Sequence, residues 1–120
     1  MARNLADLAM LYARQDKFAD SESLVKRAAA IWKSMPESHP ELATDLKSGV
    51  IGVNNLGVIF MNKRKYAEAE VIFDELIRLD PNYQLGYSNR SIARRNLGDI
   101  KGAEEDKSKE WPSFSDDRQE

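Results

Sequence analysis

The sequence predicts an all-α protein, a short α-solenoid of three helix-turn-helix hairpins of which the last is degenerate. Three observations support this fold class: apolar residues recur at helical spacing, no two-residue alternation typical of strands is sustained, and one pattern recurs along the chain. A chain of 120 residues has the usual length of one domain. We expect the domain to span 1–111, with hairpins at about 4–35, 41–80 and 81–110 and a polar tail at 112–120.

The first hairpin is indicated by two helical segments with apolar faces. One face of its first helix carries Leu5, Leu8, Ala9 and Tyr12. The second helix has an apolar stripe formed by Phe18, Leu24, Val25, Ala28, Ile31 and Trp32. This helix is expected to end before Pro36, because proline cannot continue a helix and the residue preceding it avoids the α region.

The second hairpin is expected to begin near Pro40, since proline suits the first turn of a helix. This third helix should run toward Asn62, weakened at Gly49 and Gly52 by about 1 kcal/mol each relative to alanine. The fourth helix carries an apolar stripe formed by Tyr66, Ala69, Ile72, Phe73, Leu76 and Leu79.

The third hairpin follows Asp80, which is expected to cap a fifth helix starting at Pro81. That helix should stop at Gly98, because glycine readily adopts the left-handed conformation found at helix ends. A short sixth helix is predicted from about Ile100 to Glu110.

The chain repeats itself at two intervals. The residues that recur 48 places later are Leu8, Tyr12, Lys17, Phe18, Glu22 and Ile31, matched by Leu56, Phe60, Lys65, Tyr66, Glu70 and Leu79. A weaker repetition 34 places further on matches Asn55, Tyr66 and Ala69 with Asn89, Ile100 and Ala103. One hairpin cannot bury its own apolar face, so the hairpins must stack. We therefore expect burial between the layers for Leu8, Tyr12, Leu24, Leu56, Phe60 and Phe73.

These repeated segments resemble the tetratricopeptide repeat. The resemblance is carried by Leu8-Ala9-x-x-Tyr12 with Lys17-Phe18, and again by Leu56-Gly57-x-x-Phe60 with Lys65-Tyr66. The third copy, with Leu97-Gly98-Asp99 and Ala103, is degenerate. The stretch His39-Pro40-Glu41 after a long connection is similar to the extended repeats of kinesin light chains. The resemblance covers about residues 4 to 110 and implies a protein-interaction scaffold.

Two departures from the family pattern bear on the structure. Asp16 and Arg64 stand in the turns where the family usually has glycine, at a strain cost of about 1 kcal/mol each. In the last helix, Lys107 and Glu110 occupy positions where the family has apolar residues. One interpretation is a polar cap that keeps the end of the stack in water. The alternative is that no regular hairpin packs there, and that Trp111 or Phe114 folds back or a second chain covers helix five.

In tetratricopeptide-repeat proteins the first helix of each hairpin lines a concave inner groove, so the resemblance implies a partner-binding groove here. The residues predicted for this inner groove are Met10, Ile51, Asn54, Asn55, Val58, Met61, Asn89, Ile92 and Arg95, together with Ala6, Ala13 and Ser88. Asn55 and Asn89 match the family position that often hydrogen-bonds a peptide backbone, and Asp7 stands at the equivalent place in the first hairpin. An apolar lining with methionine and isoleucine suits an extended or helical peptide with hydrophobic anchors. The alternative is that some of these residues belong to the core.

One class of partner is argued against by the same resemblance. Family members that hold the C-terminal carboxylate of chaperones use lysine, asparagine and arginine at fixed groove positions. The matching residues here are Ala6, Met10, Asn55, Leu85 and Asn89, and only Asn55 agrees. Without cationic donors, the charge-assisted hydrogen bonds that give such sites their strength are lost.

The sequence offers no constellation for catalysis, a metal or a cofactor, and we expect none. It contains no cysteine and one histidine, His39, whose place before a proline suits a turn. The segment Gly49-Val50-Ile51-Gly52 lacks the Gly-Lys-Ser/Thr that completes a phosphate-binding loop. Acidic residues such as Glu104, Glu105 and Asp106 are expected on a solvated face. The protein is therefore predicted not to be an enzyme.

Charge gives little support for nucleic acid or membrane as partners. The formal net charge is −2, and no apolar run approaches the ~20 residues of a membrane span. Arg90, Arg94 and Arg95 form a local basic cluster, expected to be a solvated helix face or, less favoured, a contact for an anionic peptide. A nucleic-acid site would need interleaved aromatic residues and a wider basic stripe.

The predicted function is a cytoplasmic adaptor or scaffold that binds a peptide or helix of another protein in the inner groove. The first alternative is a structural module that assembles with its own copies through the groove or the incomplete last repeat. A nucleic-acid-binding helical repeat is the less favoured alternative.

Overall fold

A computed structural model describes residues 2–35, 38 and 42–110 of the chain. These residues form six helices, which are α1 (Ala2–Arg14), α2 (Phe18–Ser34), α3 (Leu42–Asn62), α4 (Tyr66–Leu79), α5 (Gln84–Asn96) and α6 (Ile100–Glu110). No strand occurs in this part of the chain. The predicted all-α fold is confirmed, and so are the ends predicted for α3 and α6.

The helices stack as three consecutive antiparallel hairpins, α1 with α2, α3 with α4, and α5 with α6. The first helices form one layer, in which α3 lies between α1 and α5. In the second layer α2 contacts α4, whereas α6 lies against α5 alone among the described helices. The result is a short α-solenoid whose last hairpin is attached differently from the first two.

The core runs between the two layers and joins the first two hairpins. Its largest fully buried side chains are Leu56, Phe60, Ile72, Phe73 and Leu76. The rings of Phe18 and Phe60 lie 5.0 Å apart between centroids and connect α2 to α3. Burial is thus confirmed for four of the six predicted core residues, which are Leu24, Leu56, Phe60 and Phe73.

The prediction was wrong for Leu8 and only partly right for Tyr12. Leu8 is 37% exposed, although its equivalent Leu56 in the second hairpin is fully buried. The difference arises because α3 has α1 and α2 beside it, while no described helix covers the outer side of α1. Tyr12 is half-buried for the same reason, and the buried face of α1 is instead formed by Ala9 and Ala13.

The three hairpin turns share one backbone geometry. Asp16, Arg64 and Gly98 have φ values of 64°, 62° and 88°, and they lie 48 and 34 places apart. Each turn also closes with a 2.9 Å backbone hydrogen bond of the same register, such as Lys17 N to the Tyr12 carbonyl. The left-handed turn predicted at Gly98 is confirmed, and the same shape is imposed on Asp16 and Arg64.

The start of the fifth helix differs from the prediction. Helix α5 begins at Gln84, with Tyr83 as its N-cap residue, rather than at Pro81. The Asp80 carboxylate is used locally instead, because its Oδ1 accepts a hydrogen bond from the Asn82 amide at 3.1 Å. Aspartate commonly makes this bond two residues ahead, which favours a turn over an immediate helix.

Two glycines in α3 permit close packing of aromatic rings. A Cβ atom on Gly57 would lie 2.3 Å from the Phe73 ring, and one on Gly49 would lie 2.2 Å from the Trp32 ring. These contacts explain why α3 tolerates glycines that weaken a helix by about 1 kcal/mol each.

Helix α6 forms, but its inward face is not the predicted one. Lys107 is exposed, and the residues turned toward α5 are Ala103 and Asp106, both fully buried. Asp106 was expected on a solvated face, and its burial corrects that expectation. The side chain of Glu110 and residues 111–120, including Trp111 and Phe114, lie outside the described residues, as does His39.

Candidate partner-binding groove

The floor of the inner groove contains a hydrogen bond between two first helices. Asn89 on α5 donates through Nδ2 to Oδ1 of Asn54 on α3, at 2.7 Å. Asn54 is only 7% exposed, so it forms part of the groove floor and offers little surface to a partner. Its neighbour Asn55 is exposed and makes no side-chain hydrogen bond to the described residues. Asn55 is therefore the asparagine available to a partner, while Asn89 retains its Oδ1 and one N–H.

Apolar side chains lie on both sides of this hydrogen bond. Ile51 precedes Asn54 by three residues and Ile92 follows Asn89 by three, which places each on the same helix face as the asparagine beside it. Ile51 and Ile92 are each 47% exposed. Val58, one turn beyond Asn54, is half-buried and packs against the core. The groove thus presents large apolar groups that the described chain leaves uncovered.

Leu85 belongs to this surface but was not among the apolar groove residues predicted from the sequence. It is 50% exposed and lies 34 places after Ile51 in the repeat register. Applying that shift to Ile51 would have identified it. The pair Ile51 and Leu85 extends the apolar surface toward the start of α3 and α5.

The remaining predicted groove residues differ in accessibility. Met10 and Met61 are half-buried and pack against the core. Ala13 is fully buried, so its assignment to the groove was wrong; it packs in the interface that α1 makes with its neighbours. Arg95 is exposed, and its Nη2 lies 3.1 Å from Glu104 Oε1, so its charge is partly neutralised.

The arginines of the basic cluster on α5 form ion pairs with acidic residues of the same chain. Arg90 contacts Asp74 at 2.8 Å and Asp106 at 2.7 Å, while Arg94 contacts Glu70 at 2.8 Å. Burial alone would lower the pKa of Arg90, but hydrogen bonds to Asp106 and Asp74 outweigh it and raise that pKa above its ordinary value. Both guanidinium groups are mostly buried, so the solvated face predicted for Arg90 and Arg94 was wrong. The observation that supported a nucleic-acid site is thereby removed.

A second concavity adjoins the groove where α3 extends past its neighbours. Helix α5 starts at Gln84, whose equivalent in α3 is Val50, so the segment Leu42–Gly49 has no counterpart in α5. Between this extension and the α4–α5 turn lies a cavity of about 330 Å³, which we name the overhang cleft. Its lining residues are Leu46, Lys47, Val50, Ile51, Asp80 and Tyr83.

The overhang cleft has an apolar wall and two charged residues. Burial, and to a lesser extent the charge of Asp80, raises the pKa of the Tyr83 hydroxyl. Lys47 is exposed and forms no ion pair with the described residues. The Asp80 carboxylate is half-buried, accepts the Asn82 amide hydrogen bond and keeps its negative charge, so Lys47 is the exposed charge of the cleft.

Within residues 2–35, 38 and 42–110, no cluster of three or more histidine, cysteine, aspartate or glutamate side chains could hold a metal ion. None of the helices in that same part of the chain has the length and apolar character to span a membrane.

Comparison with known proteins shows a family likeness in the first hairpin. A family model described as tetratricopeptide repeat matches residues 3–35, which comprise α1, its turn and α2. Over 50 residues the chain is 42% identical to Protein FlbA of Caulobacter vibrioides, an alignment that covers 42% of this chain and 8% of that protein. The chain thus spans only a small part of that relative's length. The first hairpin therefore matches the tetratricopeptide-repeat family model, and the chain has the fold of an all-α solenoid similar to that of tetratricopeptide repeats.

Proposed function

We propose that this protein is an adaptor or scaffold that binds a peptide or helix of another protein in the inner groove. Tetratricopeptide repeats are modules of protein–protein interaction, and the chain carries one over residues 3–35. The observation that carries the proposal is the set of large apolar side chains, Ile51, Leu85 and Ile92, each about half exposed on one face of α3 and α5. Grouped exposed apolar residues of this kind mark interaction surfaces more often than isolated ones do.

The chemistry of the groove suits a partner with apolar anchors and an accessible backbone. Ile51, Leu85 and Ile92 would bury apolar side chains, at about 25 cal/mol per Å² removed from water. Asn55 would donate to and accept from the partner's main chain. The proposal includes binding rather than catalysis as the mode of action. A cytoplasmic location is also part of it, and cell fractionation tests that location.

A free C-terminal carboxylate of the chaperone type is not the partner we propose. The groove positions that would need cations hold Ala6, Leu85 and Asn89, and Arg95 is already paired with Glu104. A carboxylate placed there would be desolvated without a charge-assisted hydrogen bond. The partner's contact should therefore be apolar side chains along an internal segment.

Capture of partners by the protein and by one groove variant tests this proposal. Ile92→Glu places a charge in the groove, whereas Ile100→Glu makes the same substitution at a residue of equal exposure, 48%, on α6. Partners identified by mass spectrometry should be retained by the wild type and by Ile100→Glu and lost by Ile92→Glu. Loss of the partners with both variants, or with neither, would contradict binding in the inner groove.

Self-assembly is the second candidate, and the uncovered ends of the stack favour it. Leu8 and Leu11 are 37% and 47% exposed at one end, and Leu97 and Ile100 are 45% and 48% exposed at the other. A second copy stacked end to end would cover these side chains and would extend in one direction. Sedimentation equilibrium tests this alternative. Self-assembly requires that the apparent mass of the wild type rises with protein concentration. It also requires that Leu11→Glu and Ile100→Glu both remain monomers.

A further inference from the structure

The overhang cleft has the features of a binding subsite, which no repeat of ordinary length would form. It exists because α3 begins eight residues before the position at which α5 begins, so that Leu42–Gly49 faces the turn between α4 and α5. On another side, the same extension is fixed by Trp32, whose ring lies against Gly49. The wall of the cleft is therefore held by packing in the free protein.

The size and lining of the cleft indicate one large apolar side chain as its occupant. Its volume of about 330 Å³ reaches the lower end of the range of sites for small ligands, about 300–1,000 Å³. Leu46, Val50 and the Tyr83 ring supply apolar surface, and Val50 is almost fully buried beneath it. A phenyl ring or a branched aliphatic group would replace water there at a gain in free energy.

Charge at the cleft indicates what should lie next to that side chain. Lys47 is exposed and forms no ion pair within the described part of the chain, while Asp80 already accepts the Asn82 amide hydrogen bond. An acidic group beside the apolar anchor would be attracted by Lys47. A basic group would be repelled by Lys47 and would have to reach the half-buried carboxylate of Asp80.

We propose that the overhang cleft is a subsite for a large apolar residue of the partner polypeptide, with Lys47 binding an acidic residue adjacent to it in the partner. The inference rests on the proposed function, because Ile51 borders both the cleft and the inner groove and makes the two surfaces continuous. A partner segment that lies in the groove can therefore extend into the cleft without leaving the apolar surface.

A dipeptide probe tests the subsite without a known partner. The probe is acetyl-glutamyl-phenylalanine amide, and its control is the neutral isostere acetyl-glutaminyl-phenylalanine amide. Titration followed by backbone amide NMR should give saturable shifts at Lys47, Ile51 and Tyr83. The acidic probe should bind about twofold to fivefold more tightly than the isostere, the range expected for an exposed ion pair.

Two variants isolate the charge. Lys47→Glu should remove or reverse the preference for the acidic probe, whereas Lys101→Glu, a matched substitution of an exposed lysine on α6, should preserve it. Shifts spread over the surface, or absent from Lys47, Ile51 and Tyr83, would overturn the subsite. Equal affinity for the two probes would overturn the role of Lys47. Self-association that the acidic probe displaces would assign the cleft to a second copy and overturn the proposal as stated.

The variant Ile92→Glu separates this inference from the proposed function. Ile92 does not line the cleft, so this variant should keep the dipeptide titration of the wild type while losing the partner captured through the groove. If Ile92→Glu binds the dipeptide normally and still captures the partner, the groove proposal is wrong and the cleft proposal is supported. Loss of the partner without any dipeptide binding would mean the reverse.

Discussion

Arg90 and Asp106 form a bidentate ion pair inside the third hairpin. Arg90 Nε lies 2.9 Å from one carboxylate oxygen and Nη2 lies 2.7 Å from the other. In the second hairpin the equivalent positions hold Leu56 and Ile72, both buried apolar residues. Arg90 also contacts Asp74 on α4, so it connects α4 and α6, whose backbones do not approach each other closely. The last hairpin is thus held by charge where the preceding one is held by apolar packing.

Removing the charge of Asp106 should destabilise the protein strongly. Asp106→Asn leaves Arg90 and Arg94 desolvated with one carboxylate fewer, and breaking a buried pair in this way costs about 3 kcal/mol. Denaturant unfolding measures the loss. The control is Glu105→Gln, which removes the same charge from an exposed neighbour and should change stability by less than about 0.5 kcal/mol.

Replacing Arg90 and Asp106 together by apolar residues should avoid the loss of stability expected for Asp106→Asn. The double variant Arg90→Leu with Asp106→Ile recreates the residues of the second hairpin, and such replacements are often neutral or stabilising by about 1–4 kcal/mol. It should therefore be more stable than Asp106→Asn alone. A double variant as unstable as the sum of its single changes would show that the ion pair and its surroundings are not interchangeable with apolar packing.

Truncation of two equivalent leucines, Leu56 and Leu8, should change the free energy of unfolding by very different amounts. Leu56 is fully buried and Leu8 is 37% exposed, although the repeat places them at the same position. Leu56→Ala should cost about 2–5 kcal/mol as a core truncation, and Leu8→Ala less than about 1.5 kcal/mol, because fewer contacts are lost. Thermal and denaturant unfolding compare the two. Similar losses would mean that the outer side of α1 is covered in solution.

Relief of turn strain should stabilise the chain. Arg64 has a φ of 62°, in the left-handed region that disfavours residues other than glycine, so Arg64→Gly should gain about 0.5–1 kcal/mol. The matched control is Arg27→Gly within α2, where glycine should instead cost about 1 kcal/mol. Shifts of opposite sign in the denaturant midpoint would support the turn geometry. A loss of stability in Arg64→Gly would contradict it.

Helix α6 should be the least protected helix in the monomer. Its only fully buried side chains are Ala103 and Asp106 among the residues described, and it lies against α5 alone. Local stability follows buried apolar contacts, so amides from Gly102 onward should exchange faster than those of residues 66–79. Hydrogen exchange read by NMR or mass spectrometry checks this. Equal protection would mean that the ion pairs stabilise α6 as strongly as a core does, or that another chain covers it.

Most of the fold could be predicted because the helical signals are local and repeated. The shift of 48 places from Leu8 to Leu56 and the shift of 34 places from Asn55 to Asn89 set the register that the turns at Asp16, Arg64 and Gly98 share. Leu8 was placed wrongly because a repeat pattern shows which side a residue faces but not what covers that side.

The pairing of Asp106 could not be read from its neighbours in sequence. Arg90 is 16 residues from both Asp74 and Asp106, and only the stacking of α4, α5 and α6 brings the three together. The same limit applies to the candidate site, whose helix face could be predicted but not which of its residues are exposed. Asn54 and Asn55 are adjacent in sequence, and only the contact of α3 with α5 determines which one is covered.

The affinity of an identified partner for Ile92→Glu, compared with Ile100→Glu, shows whether the inner groove is the binding site. The two isoleucines are 47% and 48% exposed, so a glutamate at either should leave the melting temperature nearly unchanged. In the groove, the glutamate would be desolvated when the partner binds, at a cost of about 1–3 kcal/mol. We predict, by isothermal titration calorimetry, an affinity reduced about tenfold or more for Ile92→Glu and unchanged for Ile100→Glu. Equal affinities for the two variants, with both folded, would contradict binding in the inner groove.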